Sequence, residues 1–239
     1  MKATIKQKWK QKNNFLINDM NMKGIYTSIL SADFAELKSQ INTVEAEGAA
    51  GIHCDIMDGH FVPNITFGPM IVDAVNRITE LPLDVHLMID NPQNFIQDFI
   101  KAGADCISVH YENNMHLNRV INLIKDYGAK AGVAINPATP VFNLTDIISN
   151  LDYVLIMTVN PGFGGQHIIR SCFNKIAQLK KLITDTNSDC MIEVDGGVDS
   201  TNIKELKELG ADMIVAGASL FKSNDLSGAM RKLKELFGE

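Results

Sequence analysis

GIHCDIMDGHFVPN, residues 51–64, opens with what reads as a buried strand, yet carries ionisable groups inside it. GIHCDIM has the apolar, β-rich character of a core element, but His53 and Asp55 sit within it, and Asp58 and His60 follow directly. An unpaired charge in a protein interior is expensive, so the charges need partners. Side chains alternate across a strand with period two. His53, Asp55 and Met57 therefore share one face, and Cys54 and Ile56 the other.

Working outward, the strand is entered through EGAAGI, residues 47–52, and similar entries recur as AGADCI at 102–107 and LGADMI at 209–214. Each follows a helix-like segment ending in Gly, a usual residue at a helix C-terminus. Eight apolar runs result: IYTSIL (25–30), GIHCDI (51–56), LDVHLM (83–88), DCISVH (105–110), AGVAIN (131–136), YVLIMT (153–158), MIEVD (191–195) and MIVAG (213–217). Amphipathic stretches such as FAELKSQINTVEAEG and CFNKIAQLKKLI lie between them. Eight βα units in 239 residues predict an α/β fold, a single (β/α)₈ TIM barrel over residues 25–239, with a short N-terminal extension at 1–24. A doubly wound sheet is the alternative. It would usually carry G-x-G-x-x-G after strand one, which is absent.

Composition narrows the function classes. The net charge of −6 argues against a nucleic-acid partner, and no apolar run is long enough to span a membrane. The first 23 residues hold six Lys against Asp19, without the apolar core of a secretory signal, and read as a Lys-rich surface arm. Met20 and Met22 are possible alternative translation starts. Cys54, Cys106, Cys172 and Cys190 form no C-x-x-C pair, so reduced thiols and a cytoplasmic location are expected.

Active sites of (β/α)₈ barrels lie at the C-terminal ends of the strands. Those ends hold Ser28, the His53–Asp55–Met57 face, His86 and Met88, His110, Met157 and Asp195. If the second and third strands turn these faces inward, His53, Asp55 and His86 converge, and Asp195 joins from across the barrel. Two imidazoles and two carboxylates suit Zn, Mn, Co or Fe. Against this, a lone strand His is more often hydrogen-bonded core, and Met57, Met88 and Met157 are by default core filler. NPGFGGQ (160–166) reads as a loop whose glycines admit a ligand close to the backbone. DGG (195–197) and AGAS (216–219) end strands seven and eight, where barrels often bind phosphate. Lower in the barrel, Asp84 and Glu193 share parity with His86 and Asp195, and Lys130 is expected to neutralise them.

Taken in order, SILSADF (28–34), HCDIMDGHFVPNITFGP (53–69), LDVHLM, NPATP (136–140), VNPGFGGQ (159–166) and EVDGG (193–197) resemble the ribulose-phosphate 3-epimerase family from about Ser28 to Phe221. The resemblance implies a metal-dependent isomerase interconverting D-ribulose 5-phosphate and D-xylulose 5-phosphate through an enediolate. It implies one divalent metal ion per subunit (Zn, Fe, Mn or Co) on His53, Asp55, His86 and Asp195, with Asp55 as proton acceptor and Asp195 as donor. Ser28 and His86 would touch the sugar. Gly162, Phe163, Gly164 and Gly165, then Asp195, Gly196 and Gly197, then Gly217 and Ala218, would hold the substrate, chiefly its phosphate end. Met57, Met88 and Met157 would form an apolar wall. A homo-oligomer is implied as well. The sequence departs from the family at Thr27, Cys54 and the AGAS of strand eight, which leaves the fit at Ala218 open. Competing readings are a 3-epimerase of a hexulose phosphate such as D-allulose 6-phosphate, or a non-catalytic phosphosugar-binding barrel. A decarboxylase or aldolase-like relative would need a D-x-K-x-x-D pattern that is missing.

Overall fold

A computed structural model describes residues 22–238. Eight parallel strands close into a barrel in chain order: β1 (Gly24–Ser28), β2 (Gly51–Met57), β3 (Leu83–Met88), β4 (Cys106–His110), β5 (Lys130–Ile135), β6 (Tyr153–Met157), β7 (Met191–Asp195) and β8 (Met213–Ala216). Around them pack α1 (Leu37–Ala46), α2 (Pro69–Asn76), α3 (Ile96–Ala102), α4 (Leu117–Asp126), α5 (Phe173–Asp185), α6 (Ile203–Glu208), α7 (Ala218–Phe221) and α8 (Leu226–Phe237). The eight expected runs are the eight strands, shifted by at most two residues at either end. Strand one stops at Ser28 because its hydroxyl accepts the N–H of Leu30 and caps a 3₁₀ turn at Ile29–Ser31. Residues 1–21 of the expected extension lie outside the described residues. Its last three belong to the barrel: Met22 is buried among interior side chains, and Gly24 begins β1.

Strand parity divides the molecule as expected. Outward side chains such as Cys54, Ile56, Val85, Val109 and Val133 join one large apolar layer against the helices. Such burial contributes roughly 1.5–3 kcal/mol for each Val, Leu, Ile, Phe or Met side chain. Inward side chains fill the barrel in tiers. Tyr26, Cys106, Tyr153 and Met213 pack together with Met22 at its lower end. Two glycines make room there: a Cβ on Gly51 would lie 2.3 Å from the Tyr26 ring, and one on Gly132 2.4 Å from the Tyr153 ring.

The recurrent Gly-Ala-Asp entry has a physical basis. Gly103 ends α3 at φ +111°, a left-handed conformation that costs glycine little, and its N–H bonds back to Ile100. Two residues on, Asp105 accepts the N–H of Leu83 at 2.9 Å, securing the lower end of the neighbouring strand β3. Asp212 does the same for Ile192 in β7 at 3.2 Å. Asp152, without the preceding Gly-Ala, does it for Ala131 in β5 at 2.9 Å.

One crossover departs from the repeat. Between β5 and β6 the chain forms two 3₁₀ turns, Val141–Leu144 and Ile148–Asn150, in place of an α-helix. Pro137 and Pro140 fall in this segment, and proline lacks the N–H that a helix interior needs.

Lys130 does not serve the lower acids. Its ammonium lies 3.3 Å from Asp152 at the barrel's lower rim. Asp84 is instead bound by His53 and by the hydroxyl of Tyr153, at 2.6 and 2.8 Å. The reason is depth. Lys130 is the first residue of β5 and leaves the barrel at its rim, where Asp152 waits, while Asp84 and Glu193 are fully buried above it.

Candidate active site

β2, β3 and β7 bring four donor side chains to one place. His53, Asp55, His86 and Asp195 each offer an atom within 4.8 Å of those of the others. Register explains the meeting: His53 pairs with Asp84 and Asp55 with His86 across β2–β3, while Asp195 pairs with Met157 across β6–β7. His53 and His86 are fully buried and Asp55 nearly so.

Each donor is held from behind. The His53 Nδ1 lies 2.6 Å from Asp84, whose other oxygen accepts from Tyr153. Its Nε2 therefore faces the cluster, where it is buried and makes no hydrogen bond. The Ser28 hydroxyl donates to one oxygen of Asp55 at 2.7 Å, and His86 Nδ1 lies 3.2 Å from the other. On its far side, His86 Nε2 meets His110 Nε2 at 2.9 Å. His110 in turn reaches Glu112 at 3.0 Å.

The electrostatics divide the two carboxylates. Burial works to raise Asp55, but His53 and His86 outweigh it and hold its carboxyl well below the usual range. Asp195 is pushed up to about 7 by burial and by the Asp55 charge. Asp55 is thus kept ionised, while Asp195 titrates close to neutrality, where it can hold a proton or give it up. Burial opposes charge on His53, yet Asp55 and Asp84 outweigh it and raise its pKa well above the ordinary value. That proton occupies a position built for positive charge. An inward-facing imidazole nitrogen with no hydrogen bond, 3.4 Å from Asp55 and beside a second carboxylate and a second imidazole, fits a borderline divalent cation.

Above the donors opens a cleft of ≈ 320 Å³. Ser28, Asp55 and Asp195 reach its lining, with Met57, Met88 and Met157 around them. Met57 and Met88 pack together with Val62, while Met157 packs with Ala134, Leu155 and Val159. The rim carries Gly162, Phe163, Gly164 and Gly165 on one loop, then Gly196 and Gly197, then Gly217 and Ala218. Gly197 cannot be replaced quietly: its φ is +69°, and a Cβ would lie 2.5 Å from the backbone nitrogen of Ile168. The β6 loop is tied down by Asn64, which donates to the Gly162 carbonyl at 2.7 Å. Gln166 donates to the carbonyls of Asn160 and Phe163 at 2.7 and 2.8 Å. His53 and His86 lie beneath the cleft and form no part of its lining. Asp58 shapes the following loop by accepting N–H groups of His60, Phe61 and Asp90, and His60 itself is exposed.

Sequence reasoning passed over three groups. Tyr153 and Glu112 support the two histidines from behind. Ser219 lines the cleft at its glycine-rich end, with a buried hydroxyl that makes no hydrogen bond. AGAS, with its Ser one place later than in the familiar AGS, was the available signal.

A barrel with a buried His and Asp cluster that could hold a cation, under a glycine-rimmed cleft at the strand ends, has the form of an enzyme acting on a small molecule. Residues 24–221 match the Ribulose-phosphate 3 epimerase family, and the chain belongs to it. It is 51% identical over 208 residues to the ribulose-phosphate 3-epimerase of Bacillus subtilis (strain 168), covering 87% of this chain and 96% of that protein. It is 50% identical over 209 residues to the chloroplastic ribulose-5-phosphate-3-epimerase of Arabidopsis thaliana, covering 87% and 74%. A solved 3-hexulose-6-phosphate synthase shares the fold at 16% identity, with TM-score 0.70 over 91% of this chain and 100% of that one. Among the described residues no helix is long and apolar enough to cross a membrane.

Proposed function

We propose that the chain interconverts D-ribulose 5-phosphate and D-xylulose 5-phosphate by inverting C3. The observation that carries this reading is the pair Asp55 and Asp195, on β2 and β7, lining one cleft, with surroundings that push the first carboxyl down and the second up. Inversion removes a proton from one face of the carbon and returns one to the other. A single base would tend to return it where it came from, whereas two carboxylates divide the work. Asp55, ionised, accepts the proton from ribulose 5-phosphate, and Asp195 donates from the opposite face; the roles reverse for the return reaction. The full rate contribution expected of such acid–base groups is about 10²–10⁴-fold.

His53, Asp55, His86 and Asp195 would hold one divalent cation, and the donor set suits Zn, Fe, Mn or Co. When bound, it supplies stabilisation for negative charge developing on the sugar oxygens. Met57, Met88 and Met157 keep water from the carbanionic centre. Ser28 orients Asp55 and lies within reach of the sugar, and His86 would approach it from below. The glycines of 162–165, 196–197 and 217, with Phe163 and Ala218, take the phosphate end through backbone N–H groups.

The test is solvent deuterium incorporation at C3, with and without chelator. Loss on chelation and recovery on adding back a divalent cation are expected; full activity in verified metal-free enzyme would refute the cation's role. Comparing turnover of ribulose 5-phosphate with that of allulose 6-phosphate tests the substrate, and a preference for the hexulose would refute the five-carbon assignment. A reducing, cytoplasmic location accords with four free, buried cysteines. Self-association accords with the apolar side chains Phe34, Ile65 and Met70 left exposed beside the cleft-forming loops. Light scattering of wild type and Met70→Lys checks it.

A further inference from the structure

The cation reading above leaves one requirement unexplained. His86 faces the donor cluster with Nδ1, so a cation needs that nitrogen as a lone pair, and neutral imidazole can place its proton on either nitrogen. His53 is settled directly, because its rear nitrogen meets the carboxylate of Asp84. His86 has no carboxylate behind it. Its Nε2 meets another imidazole, His110, at 2.9 Å. Two neutral imidazoles in such contact share one proton, and either could own it.

The direction is set further out. His110 Nδ1 lies 3.0 Å from one oxygen of Glu112. The other Glu112 oxygen accepts the N–H of Asn136 at 2.7 Å and the hydroxyl of Thr139. The turn that supplies these donors is itself fixed by Lys175, whose ammonium donates to the Asn136 and Pro137 carbonyls at 2.6 and 3.3 Å. Burial works to raise Glu112, but His110, Thr139 and Asn136 outweigh it and bring its carboxyl to about 2. An ionised carboxylate only accepts. His110 therefore donates from Nδ1 and keeps a lone pair on Nε2. His86 Nδ1 also faces an oxygen of Asp55 at 3.2 Å, but Asp55 is served by the Ser28 hydroxyl at 2.7 Å and by His53 Nε2 at 3.4 Å, whereas His110 is what meets the second oxygen of Glu112, at 3.0 Å. The closer demand at Glu112 sets the direction, so His86 donates from Nε2 and turns a lone pair on Nδ1 toward the cluster.

We propose that His110 and Glu112 are positioning residues that fix the tautomer of His86 through this one-way chain of hydrogen bonds, and so set the affinity of the site for a divalent cation. Neither touches substrate. Partners of this kind typically change metal affinity by about 10–100-fold.

Glu112→Gln is the discriminating variant, because its geometry forces a reversal. The fixed N–H of Asn136 demands the amide oxygen on its side. The amide –NH₂ then faces His110 and donates to Nδ1. His110 must donate from Nε2, and His86 is left with its proton on Nδ1, facing the donors. Nitrogen-15 NMR of the metal-free protein at neutral pH reads both tautomers directly. In wild type, His86 is expected protonated at Nε2 and His110 at Nδ1; in Glu112→Gln both assignments invert. Cobalt titration against a chelator should show a 10–100-fold loss in that variant. Thr139→Val keeps the Glu112 charge and the Asn136 N–H, and should stay within about threefold of wild type.

A wild-type His86 protonated at Nδ1, or a Glu112→Gln protein that binds cobalt as tightly as wild type, overturns the proposal. Wild type that binds no cobalt overturns the cation reading instead, and the NMR assignment of the metal-free protein still decides the relay. That assignment needs no variant, so misfolding of Glu112→Gln does not protect the proposal.

Discussion

Asp195→Asn should uncouple two events that epimerisation normally joins. The amide matches the carboxyl in size and keeps an oxygen, but it can neither give nor take the proton. Asp55 keeps its own support, since the Ser28 hydroxyl that donates to it at 2.7 Å owes nothing to Asp195. Proton removal from ribulose 5-phosphate by Asp55 therefore survives, and only return from the opposite face is lost. A proton held by Asp55 exchanges with solvent, so the substrate should gain deuterium at C3 without inverting. Besides Asp55, the cleft lining holds one further acid, Asp199, whose carboxylate is engaged by the N–H and hydroxyl of Thr201 and is not expected to replace Asp195. The loss in inversion should thus fall at the upper end of what acid–base groups contribute, about 10³–10⁴-fold or roughly 4–5 kcal/mol. Exchange from ribulose 5-phosphate should fall less than about tenfold on the same scale. With xylulose 5-phosphate both should be lost, because its C3 hydrogen faces the missing base. Proton NMR in D₂O, on protein with measured cation content, follows both rates in one sample. Equal losses of exchange and inversion at unchanged cation content would refute the division of roles, as would inversion within tenfold of wild type.

The same substitution should change how stability depends on pH. The folded Asp195 carboxyl titrates at about 7 against 3.8 ordinarily, so its ionised form is disfavoured by folding. Metal-free wild type should lose stability relative to metal-free Asp195→Asn as pH rises from about 4 through about 7, with no further change beyond; urea midpoints at several pH values measure this, and a constant difference would contradict it. Gly51→Ala should destabilise the barrel by about 3 kcal/mol, because the new Cβ meets the Tyr26 ring at 2.3 Å and the Pro82 carbonyl at 2.9 Å, and Tyr26 is fully buried. Pairing it with Tyr26→Leu should recover part of that loss in chemical denaturation. Ser219→Ala should raise KM for the sugar phosphate by about tenfold with little change in kcat, the cost of one hydrogen bond to a charged group. An unchanged KM would remove Ser219 from the phosphate end.

The parts of this protein that are legible in its sequence are those set by local rules. Period two in GIHCDIM assigned His53, Asp55 and Met57 to the inside and Cys54 to the outside, because burial acts on every residue of a strand at once. The glycines before β2, β4 and β8 marked helix ends for an equally local reason. What parity could not supply is depth along the barrel axis. Lys130 has the inward parity of a partner for Asp84, but it enters one tier too low and turns to Asp152 at the rim. Register between strands fixes that tier, and no single strand contains it. The supports behind the histidines were hidden for a related reason. Asp84 is visible as a strand residue, yet that it serves His53 depends on the β2–β3 register. Glu112 lies beyond the end of β4, in a loop, where no periodicity assigns it a direction. Its role follows only once Asn136 and Thr139, from beyond β5, are seen to occupy its other oxygen. A donor set can be guessed from residue types at strand ends. The proton positions that make those donors usable are decided by groups two hydrogen bonds further away, and those are brought together by the closed barrel alone.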